Sequence, residues 1–336
     1  MKVAVVILNY NGTDMLGRFL PSVVKYSPDA EIVVADNAST DDSVAVVAKD
    51  FPGVRLIRLD RNYGFADGYN KALEQVDAEY FLLLNSDVEI TEGWLEPLLS
   101  FMEGNPNAVA CQPKILAYNN KTHFEYAGAS GGFIDRYGYP YCRGRLFDSV
   151  EEDKGQYDSP CRVFWATGAA MMVRSAAFRK VGGLDGSFFA HMEEIDLCWR
   201  LLARGGEIYA VPQSRVYHVG GATLNKSNPR KTFLNFRNNL LMLYKNLPHG
   251  ELRSVMCMRA VLDYVAAFKF LLTGAFGDFK AVMHARREYR HMRGEYKSVR
   301  EQNLAAATVP VIEERARFSL LWQYYVKGKK HFSQLK

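Results

Sequence analysis

The stretch YFLLLNSDVE, residues 80–89, is an apolar run that ends abruptly on Asn, Ser and Asp. Three earlier stretches have the same form: KVAVVILNY at 2–10, EIVVADN at 31–37 and VRLIRLD at 54–60. Near-continuous apolar runs are typical of strands in a parallel sheet that is covered on both faces. The segments between them carry apolar residues at helical spacing. The sequence therefore predicts an α/β fold with a mostly parallel, twisted sheet flanked by helices.

All four predicted strands end in polar side chains, in the segments Asn9–Gly12, Asp36–Ser39, Asp60–Asn62 and Asn85–Asp87. In an open α/β sheet, ligands bind beyond the carboxyl ends of the strands. Turns alone do not require so many Asn and Asp side chains. We therefore expect the binding site at this edge of the sheet.

Two groups of carboxylates and one histidine are candidate reactive residues. Asp87 offers the hard oxygen ligand that a divalent cation prefers, although an Asx turn is the commoner role of such a residue. Glu193, Glu194 and Asp196 fall within one helical turn, where mutual repulsion raises the pKa of at least one carboxyl and suits it to act as a general base. The alternative is a solvated acidic helix start, which the helix dipole favours. His218 stands alone between apolar residues, where a structural histidine is commoner than a ligand.

The composition is that of a globular protein with a strong charge asymmetry. Of the 336 residues, 48% are hydrophobic, which excludes an intrinsically disordered chain. Residues 1–110 carry 8 Lys and Arg against 17 Asp and Glu, whereas residues 226–336 carry 21 against 8. The acidic N-terminal third suits a metal or cationic chemistry. The basic C-terminal third suits an anionic surface such as phospholipid headgroups or nucleic acid.

Several features predict a protein of the reducing cytoplasm. The five cysteines form no C-x-x-C pair, so neither a disulfide framework nor a zinc cluster is expected. The apolar run near the N-terminus is shorter than the core of a signal peptide. No uncharged apolar stretch reaches the roughly 18–20 residues that a membrane span needs.

Common nucleotide-binding and hydrolytic signatures are absent from the sequence. The first strand is followed by NYNG, which has one glycine where the dinucleotide-binding fingerprint has three. No P-loop, G-x-S-x-G or H-E-x-x-H pattern occurs.

Seven motifs in order closely resemble glycosyltransferase family 2, whose fold is called GT-A. The resemblance covers roughly residues 1–245 and is greatest to the bacterial rhamnosyltransferase-like branch, which builds cell-envelope polysaccharides on lipid carriers. The motifs are NYNG, ADNASTDDS, RNYGFADGYN, LLLNSDVEI, WATGAAMMVR, VGGLDGSFFAHMEEIDLCWR and VYHVGG.

The resemblance implies a metal site and a donor site. Asp87 occupies the metal-coordinating position of the family's D-x-D motif, which is Asn85-Ser86-Asp87 here, so the first Asp of the motif is replaced. His218 matches a distal residue that can complete the site, and the expected cofactor is Mn²⁺ or Mg²⁺. Asp36 matches the residue that recognises the nucleobase. The implied donor-binding residues are Asn9, Asn11, Asp36, Asn62, Gly64, Asn85 and Ser86.

The resemblance also implies a catalytic base and an acceptor boundary. Glu194 matches the base, the second carboxylate of an E-D pair that is Glu193-Glu194 here, and Asp196 is a further alternative. The base would take the proton of an acceptor hydroxyl, which attacks the anomeric carbon opposite the nucleotide and inverts it. The implied boundary between donor and acceptor comprises Trp165, Thr167 and Gly168, although Trp165 could equally be a core aromatic.

These patterns divide the chain into a catalytic domain, 1–228, and a helical, basic region, 229–336. Within the first, 1–110 is predicted to be the nucleotide-binding half and 111–228 the half that holds the acceptor and the base. Residues 117–160 are rich in Gly and Tyr with little periodicity, so they are predicted to form a long loop.

The C-terminal region contains a candidate lipid-binding surface. Residues 255–276 are apolar but broken by charges, as in helices that lie in a membrane interface. We therefore expect residues 255–300 to contact an anionic membrane surface; the alternative is a helical hairpin packed on the catalytic domain. Nucleic acid is not expected, because no base-reading motif accompanies the basic residues. Five of these would form one stripe on a continuous helix: Arg286, Arg290, Arg293, Lys297 and Arg300.

The sequence thus predicts an inverting glycosyltransferase attached to the inner face of the cell membrane. Its expected substrates are a nucleotide sugar, dTDP-rhamnose or else a UDP-sugar, and a polyprenyl-diphosphate-linked saccharide. A nucleotidyltransferase would need a basic loop after the first strand, where NYNGTDMLG has no Lys or Arg. A non-catalytic binding scaffold is disfavoured because Asp36, Asp87, Glu194 and His218 are all present.

Overall fold

The computed structural model describes residues 1–220 and 228–335, so the predicted boundary at residue 228 adjoins a segment outside the described residues. The strands in the described ranges are β1 (Val3–Asn9), β2 (Glu31–Asp36), β3 (Arg55–Arg58), β4 (Tyr80–Asn85), β5 (Val88–Ile90), β6 (Ala108–Ala117), β7 (Asn120–Phe124), β8 (Gly132–Ile134), β9 (Pro140–Cys142), β10 (Arg145–Leu146), β11 (Ser149–Val150), β12 (Cys161–Arg162), β13 (Ala170–Arg174) and β14 (Glu207–His218). The α-helices are α1 (Thr13–Tyr26), α2 (Ser43–Asp50), α3 (Gly64–Leu73), α4 (Leu95–Gly104), α5 (Ser175–Lys180), α6 (Glu193–Ala203), α7 (Pro229–Asn246), α8 (His249–Leu272), α9 (Phe276–Met292) and α10 (Tyr296–Ala305).

One sheet forms the centre of the molecule. Its order is β12-β14-β6-β13-β4-β1-β2-β3, with β5 beside β14 and β7 beside β6. The strands β4, β1, β2 and β3 are parallel, β13 runs antiparallel between β4 and β6, and β14 is parallel to β6. The predicted α/β class is confirmed, with a parallel first half and a mixed second half.

Burial on both faces explains the continuous apolar strands. In β1, Ala4 and Val6 enter one core cluster, while Val3, Val5 and Ile7 enter another on the opposite face. Helices α1, α2 and α4 cover the second cluster, and α3, α6 and α7 cover the first. A strand between two helical layers cannot alternate with polar residues, because either face would then bury them.

A second, small antiparallel sheet corrects the prediction of a long loop at residues 117–160. Strands β8, β9, β10 and β11 form this sheet, and β7 pairs with β6. These strands have only two to five residues, too few for a visible hydrophobic period. Tyr141 packs here against Leu320 and Tyr324 of the C-terminal segment.

The C-terminal region is helical as predicted, but the single basic stripe does not form. Helix α9 ends before α10 begins, and Gly294 lies in the turn that separates them. Tyr289 of α9 and Tyr296 of α10 are buried in the first core cluster, so the apolar side of each helix faces the protein interior. Within the described residues, no helix is both long and apolar enough to cross a bilayer.

Two of the five arginine and lysine side chains predicted for the stripe are buried. The Arg286 guanidinium donates to Asp263 at 2.6 Å, and that of Arg300 donates to the carbonyl of Tyr244. Both guanidinium groups therefore hold helices together and are not available to lipid. The exposed members are Arg290, Arg293 and Lys297.

Asp263 joins α8 to α9 and provides a stability test. Its fully buried carboxylate accepts hydrogen bonds from Arg259 at 3.0 Å and from Arg286 at 2.6 Å. We expect Asp263→Ala to lower the free energy of unfolding by about 3–5 kcal/mol, because two buried guanidinium groups lose their anion. Urea unfolding measures the change. Arg253→Ala, at an exposed site on the same helix, should stay within about 0.5 kcal/mol; an equal effect of both substitutions would contradict the argument.

Candidate functional site

A pocket of about 450 Å³ opens at the carboxyl ends of β1, β2 and β4, the edge that the sequence predicts. This volume lies in the ordinary range for small-molecule sites, about 300–1,000 Å³. Six of the residues predicted for the donor and metal sites line it: Asn11, Asn62, Gly64, Asn85, Ser86 and Asp87.

Asn9 and Asp36 lie behind the pocket and are not among the residues that line it. The Asp36 carboxylate accepts hydrogen bonds from the Asn9 side-chain amide at 3.2 Å and from the backbone N–H of Ser39 at 3.0 Å. The Ser39 hydroxyl accepts from the N–H of Asn11 at 2.9 Å. The two residues thus support the pocket wall in this conformation, and recognition of a nucleobase by Asp36 stays a prediction.

Asn37 is a pocket residue that the sequence analysis missed. Its side-chain amide donates to Asn62 Oδ1 at 3.2 Å and to the carbonyl of Gly64 at 2.9 Å. Its Oδ1 accepts from the N–H of Tyr63 at 3.0 Å. Asn37 therefore joins the loop after β2 to the start of α3. The available signal was its place directly after Asp36, within the polar strand-end segment Asp36–Ser39, where a further polar side chain exceeds what a turn requires.

The loop before α6 packs directly on the start of α3. Gly64 has a φ of +75°, and a Cβ there would lie 2.4 Å from the Phe189 ring. The carbonyl of Phe189 accepts hydrogen bonds from the N–H groups of Phe65, at 2.6 Å, and Ala66, at 3.2 Å. Only glycine permits both this backbone conformation and this close approach.

Asp87 and His218 meet through strand pairing. His218 pairs with Val88 where β14 meets β5, and its Nε2 lies 3.1 Å from Asp87 Oδ1. Its Nδ1 lies 3.5 Å from Glu125, a second residue that the sequence analysis missed. Burial alone would lower the pKa of His218, but the carboxylates of Asp87 and Glu125 raise it to about 10. Burial alone would raise the pKa of Asp87, and His218 more than offsets this, so that the pKa lies below its ordinary value.

The pair fits a divalent cation that is bound together with an anionic ligand. Asp87 lines the pocket and His218 lies buried behind it, so a cation that binds both would replace the proton that His218, with its raised pKa, holds between Nε2 and Asp87 Oδ1. The Glu125 carboxylate faces the other ring nitrogen, as in sites where a carboxylate orients a metal-binding imidazole. No cluster of three or more His, Cys, Asp or Glu side chains suited to a metal occurs in residues 1–220 and 228–335. A cation held here would take its other ligands from a bound molecule and from water.

Two carboxylates at the start of α6 have the environment of a general base. The Oε2 atoms of Glu193 and Glu194 are buried without a hydrogen-bond partner. Burial raises the pKa of Glu194 to about 7, and burial and the adjacent Glu194 and Asp196 raise that of Glu193 well above its ordinary value. A Cβ added at Gly168 would lie 3.9 Å from Glu194 Cβ and 3.1 Å from the ring of Phe65, which lines the pocket, so Gly168 lies between Glu194 and that pocket residue.

Asp196, the predicted alternative base, has a different role. Its fully buried carboxylate accepts hydrogen bonds from Arg200 at 2.9 Å, Lys245 at 3.0 Å and Asn246 at 2.8 Å. Burial alone would raise its pKa, but Lys245 and Arg200 outweigh burial and hold the pKa below its ordinary value. An ionised, fully hydrogen-bonded carboxylate is a poor proton acceptor, so we withdraw Asp196 as a candidate base.

Of the predicted acceptor boundary, Gly168 alone borders the candidate base. The Trp165 indole is buried and donates to the carbonyl of Phe133 at 3.0 Å, which supports the core alternative. Thr167 is buried, and its backbone N–H donates to Gln112. Neither side chain is proposed further as an acceptor contact.

Asn238 of α7 holds the loop that leads into α6. Its fully buried amide nitrogen lies 2.8–2.9 Å from three loop carbonyls, those of Phe188, Ala190 and His191. A left-handed backbone costs a residue other than glycine about 1–3 kcal/mol and persists only where neighbouring structure enforces it. Three loop residues have such a backbone: Phe189, His191 and Met192.

The chain is similar in sequence to known glycosyltransferases. The family model described as glycosyl transferase family 2 matches residues 4–182. An N-acetylglucosaminyl-diphospho-decaprenol L-rhamnosyltransferase of Mycobacterium tuberculosis is 28% identical over 233 residues, which are 64% of this chain and 75% of that protein. A pre-mycofactocin glycosyltransferase of the same species is 27% identical, over 69% of this chain and 45% of its own length.

Solved structures resemble the chain in fold. GalNAc-T7 with UDP, GalNAc and Mn²⁺ has a TM-score of 0.57 at 20% identity, covering 73% of this chain and 48% of that one. S. aureus TarS in complex with UDP-GlcNAc has a TM-score of 0.56 at 15% identity, covering 91% and 89%. The mannosyltransferase PcManGT from Pyrobaculum calidifontis, in complex with GDP-Man and Mn²⁺, has a TM-score of 0.52 at 14% identity, covering 91% and 85%.

The role of Asn238 can be tested without any substrate. We expect Asn238→Ala to lower the free energy of unfolding by about 1–3 kcal/mol, because buried carbonyls lose their donor. Amide hydrogen exchange at Phe65 and Ala66 should accelerate, since these N–H groups donate to the loop. Asn235→Ala is the matched control, because that amide donates only within α7, to Lys231 at 2.9 Å. Unchanged exchange in Asn238→Ala would contradict the assignment.

Proposed function

This chain belongs to glycosyltransferase family 2 and has the GT-A fold, and on that premise we propose that it is a metal-dependent, inverting glycosyltransferase. The observation that carries the proposal is that Asp87, paired with His218, lines the pocket, while Glu194, whose Oε2 is buried without a hydrogen-bond partner, lies across Gly168 from the pocket residue Phe65. A group that holds a leaving diphosphate and a group that removes a proton are the two that such a transfer needs.

The donor site is proposed at the carboxyl ends of β1, β2 and β4. Asp87 and His218 would hold Mn²⁺ or Mg²⁺, which when bound stabilises negative charge on the departing diphosphate as a Lewis acid. The polar side chains of Asn11, Asn62 and Asn85 face the pocket and are proposed to bind the nucleotide sugar. Crystals of similar folds contain UDP or GDP-Man together with Mn²⁺, which supports this arrangement.

Glu194 is proposed as the general base. Its carboxylate takes the proton of an acceptor hydroxyl while the hydroxyl oxygen forms a bond to the anomeric carbon. The bond from that carbon to the diphosphate breaks on the opposite face, so the configuration inverts and no covalent enzyme intermediate forms. The loop held by Asn238 fixes the helix start that carries Glu194, which keeps the base in place.

The acceptor is proposed to be a polyprenyl-diphosphate-linked saccharide of a cell-envelope polysaccharide, and the donor dTDP-rhamnose or else a UDP-sugar. The similar rhamnosyltransferase of M. tuberculosis acts, by its name, on a decaprenol-linked sugar. Such an acceptor is anchored in a bilayer. We therefore propose that the enzyme works peripherally at the inner face of the membrane, with residues 1–228 as catalytic domain and 229–336 as the membrane-proximal region.

Thermal stability with UDP, dTDP, GDP and CDP, each with and without Mn²⁺, tests the donor site. A ligand at about 100 times its dissociation constant stabilises the fold by about 2.7 kcal/mol and should raise Tm by about 2–4 °C. We expect one nucleotide to do so only with Mn²⁺, and Asp87→Asn to lose the shift. Asp42→Asn, an exposed carboxylate after β2, should retain it. No shift with any nucleotide would favour a non-catalytic scaffold.

Replacement of the base should separate turnover from binding. Glu194→Gln is expected to lower kcat by about 10²–10⁴ while the nucleotide-induced Tm shift persists, because only proton removal is lost. In the wild type, kcat should rise with pH through about 7, since the acid must lose its proton to act as base. This inflection should be absent from the residual activity of Glu194→Gln. If Glu193→Gln proves the more damaging change, the base is Glu193.

A further inference from the structure

The outer side of α8 is an apolar surface that nothing in the described chain covers. Val261, Val265, Phe268 and Leu272 are 57%, 60%, 58% and 71% exposed, and their spacing of 4, 3 and 4 places them in one row. We call this row the outer stripe. Scattered exposed apolar residues are ordinary, whereas a continuous row marks an interaction surface. The inner side of the same helix is buried at Val255, Arg259, Asp263 and Ala267.

The C-terminal turn Trp322–Val326 extends the outer stripe. The Lys269 ammonium on α8 lies 6.0 Å from the centre of the Tyr325 ring, which places this turn beside the helix. Trp322, Tyr325 and Val326 in this turn are each more than half exposed. Tryptophan and tyrosine are enriched where membranes meet water.

The charges around the outer stripe are predominantly positive; the exposed carboxylate of Asp148, near Tyr325, is an exception. Between residues 252 and 277 the exposed ionic side chains are those of Arg253 and Lys269, because Arg259 and Asp263 pair inside the protein. Residues 315–336 contain six Lys and Arg and no Asp or Glu. A second copy of the chain, docked by the same surface, would bring Lys269 and its neighbours close to their own copies, so charge disfavours self-association.

The start of α9, which follows the outer stripe in the chain, packs against the start of α7, where a pocket residue lies. A Cβ added at Gly277, which follows the exposed Phe276 at the start of α9, would lie 2.7 Å from the Pro229 ring. Thr232 donates to Asp278 at 2.6 Å, which fixes the start of α9 against α7. Arg230, between these two contacts, lines the pocket.

We propose that the outer stripe and the turn Trp322–Val326 bind the surface of an anionic phospholipid bilayer. The apolar side chains enter the headgroup region, and Lys269 and the exposed Lys327 contact the phosphates. This surface replaces the basic stripe that the sequence predicted, two of whose arginines are buried. Its purpose, to hold the pocket close to a lipid-linked acceptor, rests on the proposed function, whereas the binding itself does not.

Trp322 gives a direct readout in the unmodified protein. The chain has four tryptophans, and the other three, Trp94, Trp165 and Trp199, are at most 3% exposed. Acrylamide should therefore quench Trp322 selectively. Vesicles of phosphatidylcholine with phosphatidylglycerol should cosediment with the protein and protect Trp322, while pure phosphatidylcholine should do neither. The assay contains no nucleotide or metal.

Substitutions on the outer stripe distinguish lipid binding by this surface from lipid binding elsewhere and from dimer formation. Val265→Asp with Phe268→Asp should lower vesicle partitioning on the order of tenfold or more, because two apolar contacts become anions. Val24→Asp, an exposed valine of α1 on the opposite face of the sheet, is the matched control and should leave partitioning unchanged. The outer-stripe variant should keep its Tm and its nucleotide-induced shift, so failure of lipid binding and failure of the donor site are distinguishable. Equal binding to both vesicle types, an unaffected variant, or a dimer that protects Trp322 without vesicles would each overturn the proposal.

Discussion

The left-handed backbone between Phe189 and Met192 is the constraint on which the rest of the site depends. Three residues there carry a conformation that is costly for any side chain but glycine. The amide of Asn238 offsets that cost by bridging the loop carbonyls, and the C-terminal helices hold Asn238 in place. The loop places Phe189 in the lining of the pocket and ends where α6 begins, beside the candidate base Glu194. A site built this way needs a rigid scaffold on both sides of the loop.

The C-terminal helices supply much of that scaffold. Lys245 of α7 donates to both Asp185, at 2.6 Å, and Asp196, at 3.0 Å, so one ammonium ties the start of the loop to α6. The Tyr296 hydroxyl of α10 donates to Asp185 at 3.0 Å. Buried ion pairs of this kind fix geometry more than they add stability, because desolvation offsets most of the attraction. Residues of the predicted C-terminal helical region thus orient the loop and the helix that carry the candidate base.

The sequence predicted what depends on local pattern. Continuous apolar strands, amphipathic helices and polar strand ends located the sheet, the edge and Asp87, because unbroken apolar runs and a helical period of 3.6 residues report burial directly. It did not reveal Glu125 or Asn238, because Glu125 meets His218 and Asn238 meets the loop carbonyls only across 47 or more residues of sequence. Nor did it reveal that Asp196 is paired with Lys245, since three clustered acidic residues look alike until their partners are known. The predicted basic stripe did not form for two reasons: a turn at Gly294 separates α9 from α10, and the buried Arg286 and Arg300 bind groups on other helices.

The hydrogen bonds that the Phe189 carbonyl accepts from Phe65 and Ala66 make the two halves of the site one mechanical unit. Any motion that lifts Phe189 away from Gly64, to let a spent nucleotide leave, also strips the first turn of α3 of its acceptor and displaces the start of α6. On the proposed function, departure of the nucleotide and displacement of the base would be a single event. Water can hydrolyse an activated donor sugar in an open site. Such coupling shortens the time during which the base is in place while the site is open to water.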